Sequence, residues 1–189
     1  MATKGAEQVQ WTIADLEHLP DNNGTRYEII DGELHMSKQP HWHHQKTCNN
    51  LNFHLESWNR QSGLGETVQA PGIIFSNEDA VAPDLVWVSK DRLPALLGED
   101  GKLHGAPDLV VEVLSPGAAN ERRDKESKAK LYSVRGVREY WIVDWLLQTV
   151  AVYRRESAAL RLVTTLHADD ELTSPRLPGF TLKVHQIFG

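Results

Sequence analysis

The sequence predicts an α/β fold: a mixed central β-sheet flanked by helices, with an N-terminal β-hairpin. Three observations predict it. The stretch Gly105 to Gly117, GAPDLVVEVLSPG, sets Leu109, Val110, Val111, Val113 and Leu114 in one run with no polar side. That is the pattern of a strand covered on both faces. Apolar residues recur at three- and four-residue spacing in HHQKTCNNLNFHLESWNRQSG (Cys48, Leu51, Leu55, Trp58), which predicts a long helix stopped by Gly63. Asp31-Gly32 separates two short apolar runs in RYEIIDGELHMS, a strong two-residue hairpin signal.

The remaining elements follow in chain order. WTIADLEHLP predicts a short helix ending near Pro20, and Asp21-Asn22-Asn23-Gly24 predicts a turn that lacks the further ligands of a calcium loop. After the hairpin and the long helix, ETVQAPGIIFS predicts one strand, with a bulge or break at Pro71-Gly72. PDLVWVS and PDLVVEVLS predict two more, joined by a loop, KDRLPALLGEDGKLHGA, with room for one helical turn. A helix is expected from about Asn120 to Val134, ending at Gly136. EYWIVDW and TVAVYRR predict strands around a turn at Leu146–Gln148, LRLVTTLH another, and LPGFTLKVHQIFG a short strand and a final helical turn. A well-marked helix between runs of strands requires a sheet with helices on its faces. No repeat or linker interrupts the series, so residues 1–189 are expected to form a single domain.

Composition narrows the class. With 189 residues, 40% hydrophobic and 24% charged, the chain is long enough for one sizeable core. No apolar run approaches membrane-spanning length, and MATKGAEQVQ lacks the apolar block of a secretory signal. Cys48 is the only cysteine, so no disulfide can form within the chain, and a cytoplasmic location with Cys48 as a core filler is expected. A net charge of −6 argues against a tight, non-specific nucleic-acid binder. It leaves room for an enzyme with a basic rim, because metal-binding carboxylates make an empty site look acidic.

Glu112 is the residue that demands an explanation. It lies mid-strand on the same face as Asp108, Val110 and Leu114. Burying its carboxylate costs several kcal/mol unless a cation or a set of donors meets it. Asp84, in the parallel pattern VAPDLVWVS, and Lys128, in ERRDKESKAKLYS, are the candidate partners. Two carboxylates on neighbouring strands with a lysine are the parts of a magnesium-dependent phosphodiesterase site. On the helix, Asp124, Lys128, Leu131 and Tyr132 share one face, so a sheet-packed Leu131 and Tyr132 would aim Lys128 toward Glu112. Lys125 and Lys130 are expected to be exposed.

The order helix, strand, strand, strand, helix, strand, with Asp on the second strand and Glu on the third, resembles the core of the PD-(D/E)XK restriction-endonuclease-like superfamily. Within it the chain is most similar to the Uma-type endonuclease family. YEIIDGEL, His44 at the start of the long helix, VAPDLVWVS, APDLVVEVLSP, RRDKESKAKLYSVRGVREYWIVD and the closing LPGFTL carry the resemblance. It implies a restriction-endonuclease-like core and hydrolysis of DNA phosphodiester bonds. Asp84, Glu112 and the backbone carbonyl of Val113 would hold Mg²⁺, with Mn²⁺ as the alternative ion. The superfamily's lysine two residues after the Glu is missing, since Leu114 occupies that position; Lys128 on the following helix is the matching residue. Glu28 would be a further ligand or orient one, His44 would contact phosphate or a nearby water, and Tyr132 would orient a water or Lys128. On this reading Asp84→Asn or Lys128→Ala abolishes metal-dependent cleavage without unfolding the protein.

Each residue also has a plainer reading: Asp84 as a satisfier of loop amides, Glu112 as half of a structural ion pair, Lys128 as a solvated helix lysine. The alternatives for the whole chain are a catalytically inactive nuclease-like binding domain, which the displaced lysine supports, and a metal-dependent hydrolase of another substrate. HWHH (His41 to His44) has spacing compatible with zinc, but no cysteine or histidine partner is marked elsewhere; His44 alone is expected to face the site, with the others in an exposed loop. Tyr140 and Trp141 are expected in the core or an interface. No aromatic-basic ladder for single strands is visible, and Arg122, Arg123, Lys125 and Lys130 are candidates for a groove rim. EYWIVDWLLQTVAVYRR offers apolar strand surface for a homodimer.

Overall fold

The computed structural model describes residues 9–20, 24–117 and 123–189. Residues 1–8, 21–23 and 118–122 lie outside the described residues; they include most of the turn expected at Asp21 to Gly24, the expected beginning of the helix from about Asn120, and Arg122.

After a short helix α1 (Ile13–Leu16), the predicted hairpin forms from β1 (Arg26–Ile30) and β2 (Glu33–Ser37). Asp31 and Gly32 both take positive φ, 51° and 74°, as a two-residue turn matched to strand twist requires. Helix α2 (Trp42–Ser62) ends at Gly63, whose left-handed φ of 63° lets its N–H reach Asn59 O. The predicted strand at ETVQAPGIIFS is in fact two: β3 (Gly65–Gln69) and β4 (Ile73–Ser76), which belong to different sheets. Ala70 at φ 48° and Pro71 turn the chain between them. The three-residue β5 (Asp79–Val81), too short to show alternation, has no counterpart among the sequence expectations.

A six-stranded sheet carries the core. Its order is β10-β9-β8-β7-β6-β3, where β6 is Leu85–Ser89, β7 Leu109–Val113, β8 Glu139–Asp144, β9 Thr149–Glu156 and β10 Ala159–Leu166. Only the β7–β8 pair is parallel, so the sheet is mixed as expected. A parallel pair needs a crossover. It is supplied by a π-helical turn, Arg123–Lys128, that runs directly into α4 (Ala129–Arg135) and stops at Gly136. The loop between β6 and β7 holds the single helical turn α3 (Leu93–Leu96). β1, β2, β4 and β5 form a second, four-stranded sheet, and β11 (Glu171–Thr173) pairs with β12 (Thr181–Lys183) ahead of α5 (His185–Phe188).

The alternation of β7 divides the core in two. Leu109, Val111 and Val113 pack with Cys48, Leu51 and Leu55 of α2 and with the C-terminal segment. Val110 and Leu114 pack with Leu131 and Tyr132 of α4 and with Ile30, Ile73 and Val81 of the smaller sheet. Each such side chain contributes roughly 1.5–3 kcal/mol on burial. Glu112, even-numbered like Val110, faces α4. Tyr140 and Trp141 are fully buried core residues. Within the segment expected to offer apolar surface to a homodimer, Tyr140 to Val143 are buried in β8 between β7 and β9, whereas Leu146 and Leu147 of the following turn are exposed. No helix among the described residues is long and apolar enough to cross a membrane.

Candidate active site

Two Pro-Asp strand entrances look alike in sequence, yet their aspartates have different fates. β6 and β7 are antiparallel, with Leu85 opposite Val111 and Trp87 opposite Leu109. One more step in that register sets Asp84 beside Glu112, while Asp108 falls at the other end of the strands. There Asp108 is clamped by Arg92 at 2.8 Å, Arg138 at 2.7 Å and the Ser89 N–H at 2.9 Å. Asp84 instead accepts the Val113 N–H on Oδ2 at 2.8 Å, which ties it across the strands next to Glu112.

Helix α4 and its π turn close over this pair. Lys128 Nζ donates to Glu112 Oε1 at 2.8 Å, lies 3.0 Å from Glu28 Oε1 and 3.9 Å from Asp124 Oδ1. Tyr132 OH donates to the same Glu112 Oε1 at 2.8 Å. Glu28 comes from the smaller sheet, fixed by the Ala82 N–H at 2.9 Å. From α2, His44 Nε2 lies 3.3 Å from Asp84 Oδ2, and Arg26 NH1 lies 3.5 Å from Asp84 Oδ1. A cavity of about 100 Å³ opens here; Glu28, His44, Asp84, Glu112, Val113 and Lys128 line it, with Arg26, Lys38 and Arg123 at its sides. Tyr132 is fully buried, with its hydroxyl on Glu112, and is not among the residues that line the cavity. Lys125 and Lys130 are exposed, as expected, and Lys130 pairs with Asp31.

Burial and charge set the protonation of the group. Desolvation pushes the Glu112 carboxyl up to about 8; Lys128 opposes this, while Asp84, Asp124 and Glu28 add to it. Burial also works against the Lys128 ammonium, but the Glu112, Glu28 and Asp124 carboxylates outweigh it and hold its pKa above the ordinary value. For Asp84, burial is outweighed by His44, the Val113 N–H and Lys128, so its pKa is lowered. Glu28 is lowered likewise, with burial outweighed by Lys128 and the Ala82 N–H. Asp124 is raised, chiefly by burial. Three carboxylates, Glu28, Glu112 and Asp124, thus surround one fully buried ammonium with Asp84 beside them, an arrangement that a further cation with a preference for hard oxygen would relieve.

A second donor set overlaps the first. His44, Cys48 and Asp84 place one ligand atom each within 4.8 Å of one another, and Cys48 Sγ lies 3.6 Å from His44 Nδ1. Cys48 is the partner one helical turn after His44 that the histidine cluster lacked in sequence. Burial, followed by the Asp84 and Glu112 charges, raises its thiol pKa. Sequence reasoning also missed Asp124 and Arg26 as members of the group. Asp124 was legible only as a face-mate of Lys128, and Arg26 carried no signal. His41 and His43 are exposed as expected; His41 caps α2 from outside the helix, whereas His43 lies in its first turn and not in a loop.

The family model described as "Uma2: Putative restriction endonuclease" matches residues 13–185, and the chain belongs to that family. A crystal structure from Anabaena variabilis ATCC 29413, titled a putative nuclease belonging to DUF820, is similar in fold. Its TM-score is 0.74 at 20% identity, over 94% of this chain and 97% of that one. No curated protein matches the chain.

Proposed function

We propose that this protein is a Mg²⁺-dependent endodeoxyribonuclease, acting in the cytoplasm as a single domain, with Asp84, Glu112 and Lys128 as its catalytic residues. The observation that carries the reading is the meeting of Lys128 with Glu112 at 2.8 Å beside a cavity shared with Asp84. The displaced lysine was the ground for an inactive domain. Lys128 brings the missing cation from the helix instead, which favours catalysis.

Asp84, Glu112 and the Val113 carbonyl would hold Mg²⁺, whose preference is for oxygen ligands and retained waters; Mn²⁺ suits the same set. When bound, the ion supplies Lewis-acid polarisation of the phosphate and a lowered pKa for a bound water. The protein's own groups do the rest. The Val113 N–H and His44 fix Asp84 in place. Tyr132 and Lys128 fix Glu112. Lys128 holds its proton and stabilises charge on the phosphate oxygens or positions the attacking water. A cavity of about 100 Å³ admits an ion and waters, not a whole nucleotide, which supports a polymer laid across the opening. Arg26, Lys38 and Arg123 supply positive charge at its sides.

The test is cleavage of a mixed DNA panel with Mg²⁺, Mn²⁺ or EDTA, comparing wild type with Asp84→Asn. Metal-dependent cutting that falls at least about 100-fold in the variant is expected. Cutting of no DNA, with turnover of a small phosphodiester, would move the site to another hydrolase.

A further inference from the structure

Beside the cavity, the start of α2 and the turn after β8 bring together three rings that are far apart in sequence. His41 and Trp145 have centroids 5.0 Å apart with planes inclined 10°, and His43 and Trp145 are 5.3 Å apart at 28°. His41 and His43 are themselves 5.4 Å apart at 24°. His41 and His43 are exposed, and Trp145 is partly so. The cluster is held in place. Trp145 Nε1 donates to Leu114 O at 3.0 Å, and His41 Nδ1 accepts the His43 N–H at 3.2 Å.

Its location is what gives it a use. Pro40 and His44, on either side of His41–His43 in the chain, both line the carboxylate cavity, and so does Ser115, the neighbour of the carbonyl that anchors Trp145. On the other side, His43 and Trp145 wall a groove that also contains Lys46. A strand crossing the cavity therefore runs past the exposed His41 and His43 rings, with Trp145 stacked beside them, and then the exposed Lys46. Base faces stack on aromatic side chains irrespective of base identity, and a lysine beside them suits the following phosphate. A paired base inside a duplex has no free face to offer.

Building on the nuclease reading, we propose that His41, His43 and Trp145 form a stacking platform for an unpaired nucleobase, and that the substrate is single-stranded DNA. The rings are pre-oriented, so little ordering is needed when a base arrives. An aromatic binding surface was not legible in the sequence because the rings come from two distant segments.

The test measures binding by the full chain in EDTA, so that cleavage plays no part. The probes are a fluorescein-labelled oligothymidylate, an abasic strand of equal length and a duplex, followed by anisotropy. Wild type is expected to bind oligothymidylate about tenfold more tightly than the abasic strand. Trp145→Leu should remove that preference while Trp145→Phe, which keeps a ring, retains it. The exposed double variant His41→Ala/His43→Ala should weaken the preference and decides the matter if Trp145→Leu does not fold. Equal binding of the two strands by wild type, or an undiminished preference in the folded variants, overturns the platform. Metal-dependent cleavage that Asp84→Asn removes would then still stand as a nuclease reading. Base-dependent binding without any cleavage would overturn the nuclease reading and leave the platform.

Discussion

Lys128 Nζ lies 2.8 Å from Glu112 Oε1, and the two side chains come from a helix and a strand that both bury them almost completely. The same ammonium is 3.0 Å from Glu28 Oε1. Removing one member of a buried pair leaves an uncompensated charge and costs about 3–5 kcal/mol. Lys128→Met, close to lysine in shape, should therefore lower Tm by roughly 10 °C as well as abolish cleavage. The variant should still fold, as expected from sequence for alanine at this position, but with reduced stability. Adding Mg²⁺ should narrow the Tm deficit, because a second cation would answer the same carboxylates. Differential scanning fluorimetry with and without Mg²⁺ measures both effects, and an unchanged Tm would show that Lys128 carries no buried charge burden.

A pH dependence follows from Glu112. Its ordinary pKa is 4.5, and burial pushes it up to about 8 in the folded protein. Between those values the folded protein keeps a proton that the unfolded chain has lost, so the Glu112 contribution to stability falls as pH rises through that window. Asp84 and Glu28 act in the opposite sense: their lowered pKa values give stability above their ordinary values of 3.8 and 4.5, lost as pH falls through the folded ones. Binding of Mg²⁺ requires Glu112 to release its proton. The Tm gain from Mg²⁺ should accordingly be larger above pH 8 than near pH 6. Calorimetric titration at neutral pH in buffers of different ionisation enthalpy should detect proton release. A Mg²⁺ effect independent of pH would place Glu112 outside the ligand set.

Much of this site was legible because it depends on local rules. Period-two alternation put Glu112 on the face opposite Leu109, Val111 and Val113, and helical spacing put Asp124, Lys128, Leu131 and Tyr132 on one side of the crossover helix. What could not be read was set by register and by contact between distant segments. Asp84 and Asp108 have the same flanking residues, and only the antiparallel pairing of β6 with β7 sends one to the cavity and the other to Arg92 and Arg138. Likewise β5 is too short to show a pattern, and β4 was legible only as the end of a strand shared with β3, so which sheet would deliver Glu28 could not be read. The place of Cys48 beside Asp84 depends on how α2 lies on the sheet, which spacing within α2 does not determine.

Tyr132 offers a finer test than the charged residues. Its hydroxyl donates to Glu112 Oε1 at 2.8 Å from a fully buried position, and burial keeps its own pKa well above the ordinary value, so it remains a donor. A hydrogen bond to the carboxylate form favours ionisation. Tyr132→Phe removes that donor without opening a cavity, at a cost of about 1.5–3 kcal/mol. The Glu112 pKa should rise further, and the acidic limb of the pH–rate profile with Mg²⁺ should move to higher pH while the plateau rate is largely kept. A uniform fall in rate at every pH would mean instead that Tyr132 meets the substrate or its water.

The two overlapping donor sets lead to a prediction about ion choice. Glu112, Asp84 and the Val113 carbonyl are hard oxygen donors, whereas His44, Cys48 and Asp84 offer nitrogen, sulfur and oxygen within 4.8 Å of one another. Imidazole and thiolate favour Zn²⁺ over Mg²⁺. Asp84 belongs to both sets, so an ion held by His44 and Cys48 would draw it away from Glu112. Zn²⁺ should therefore inhibit Mg²⁺-supported cleavage. Because burial and the neighbouring carboxylates hold the Cys48 proton, inhibition should strengthen as pH rises. Cys48→Ala should weaken Zn²⁺ inhibition about tenfold or more, the scale on which altered metal surroundings act, and leave cleavage with Mg²⁺ in place. The check is inhibition by Zn²⁺ at fixed Mg²⁺ in wild type and variant. Equal inhibition in the two would remove Cys48 from any metal role and leave it a core residue beside His44.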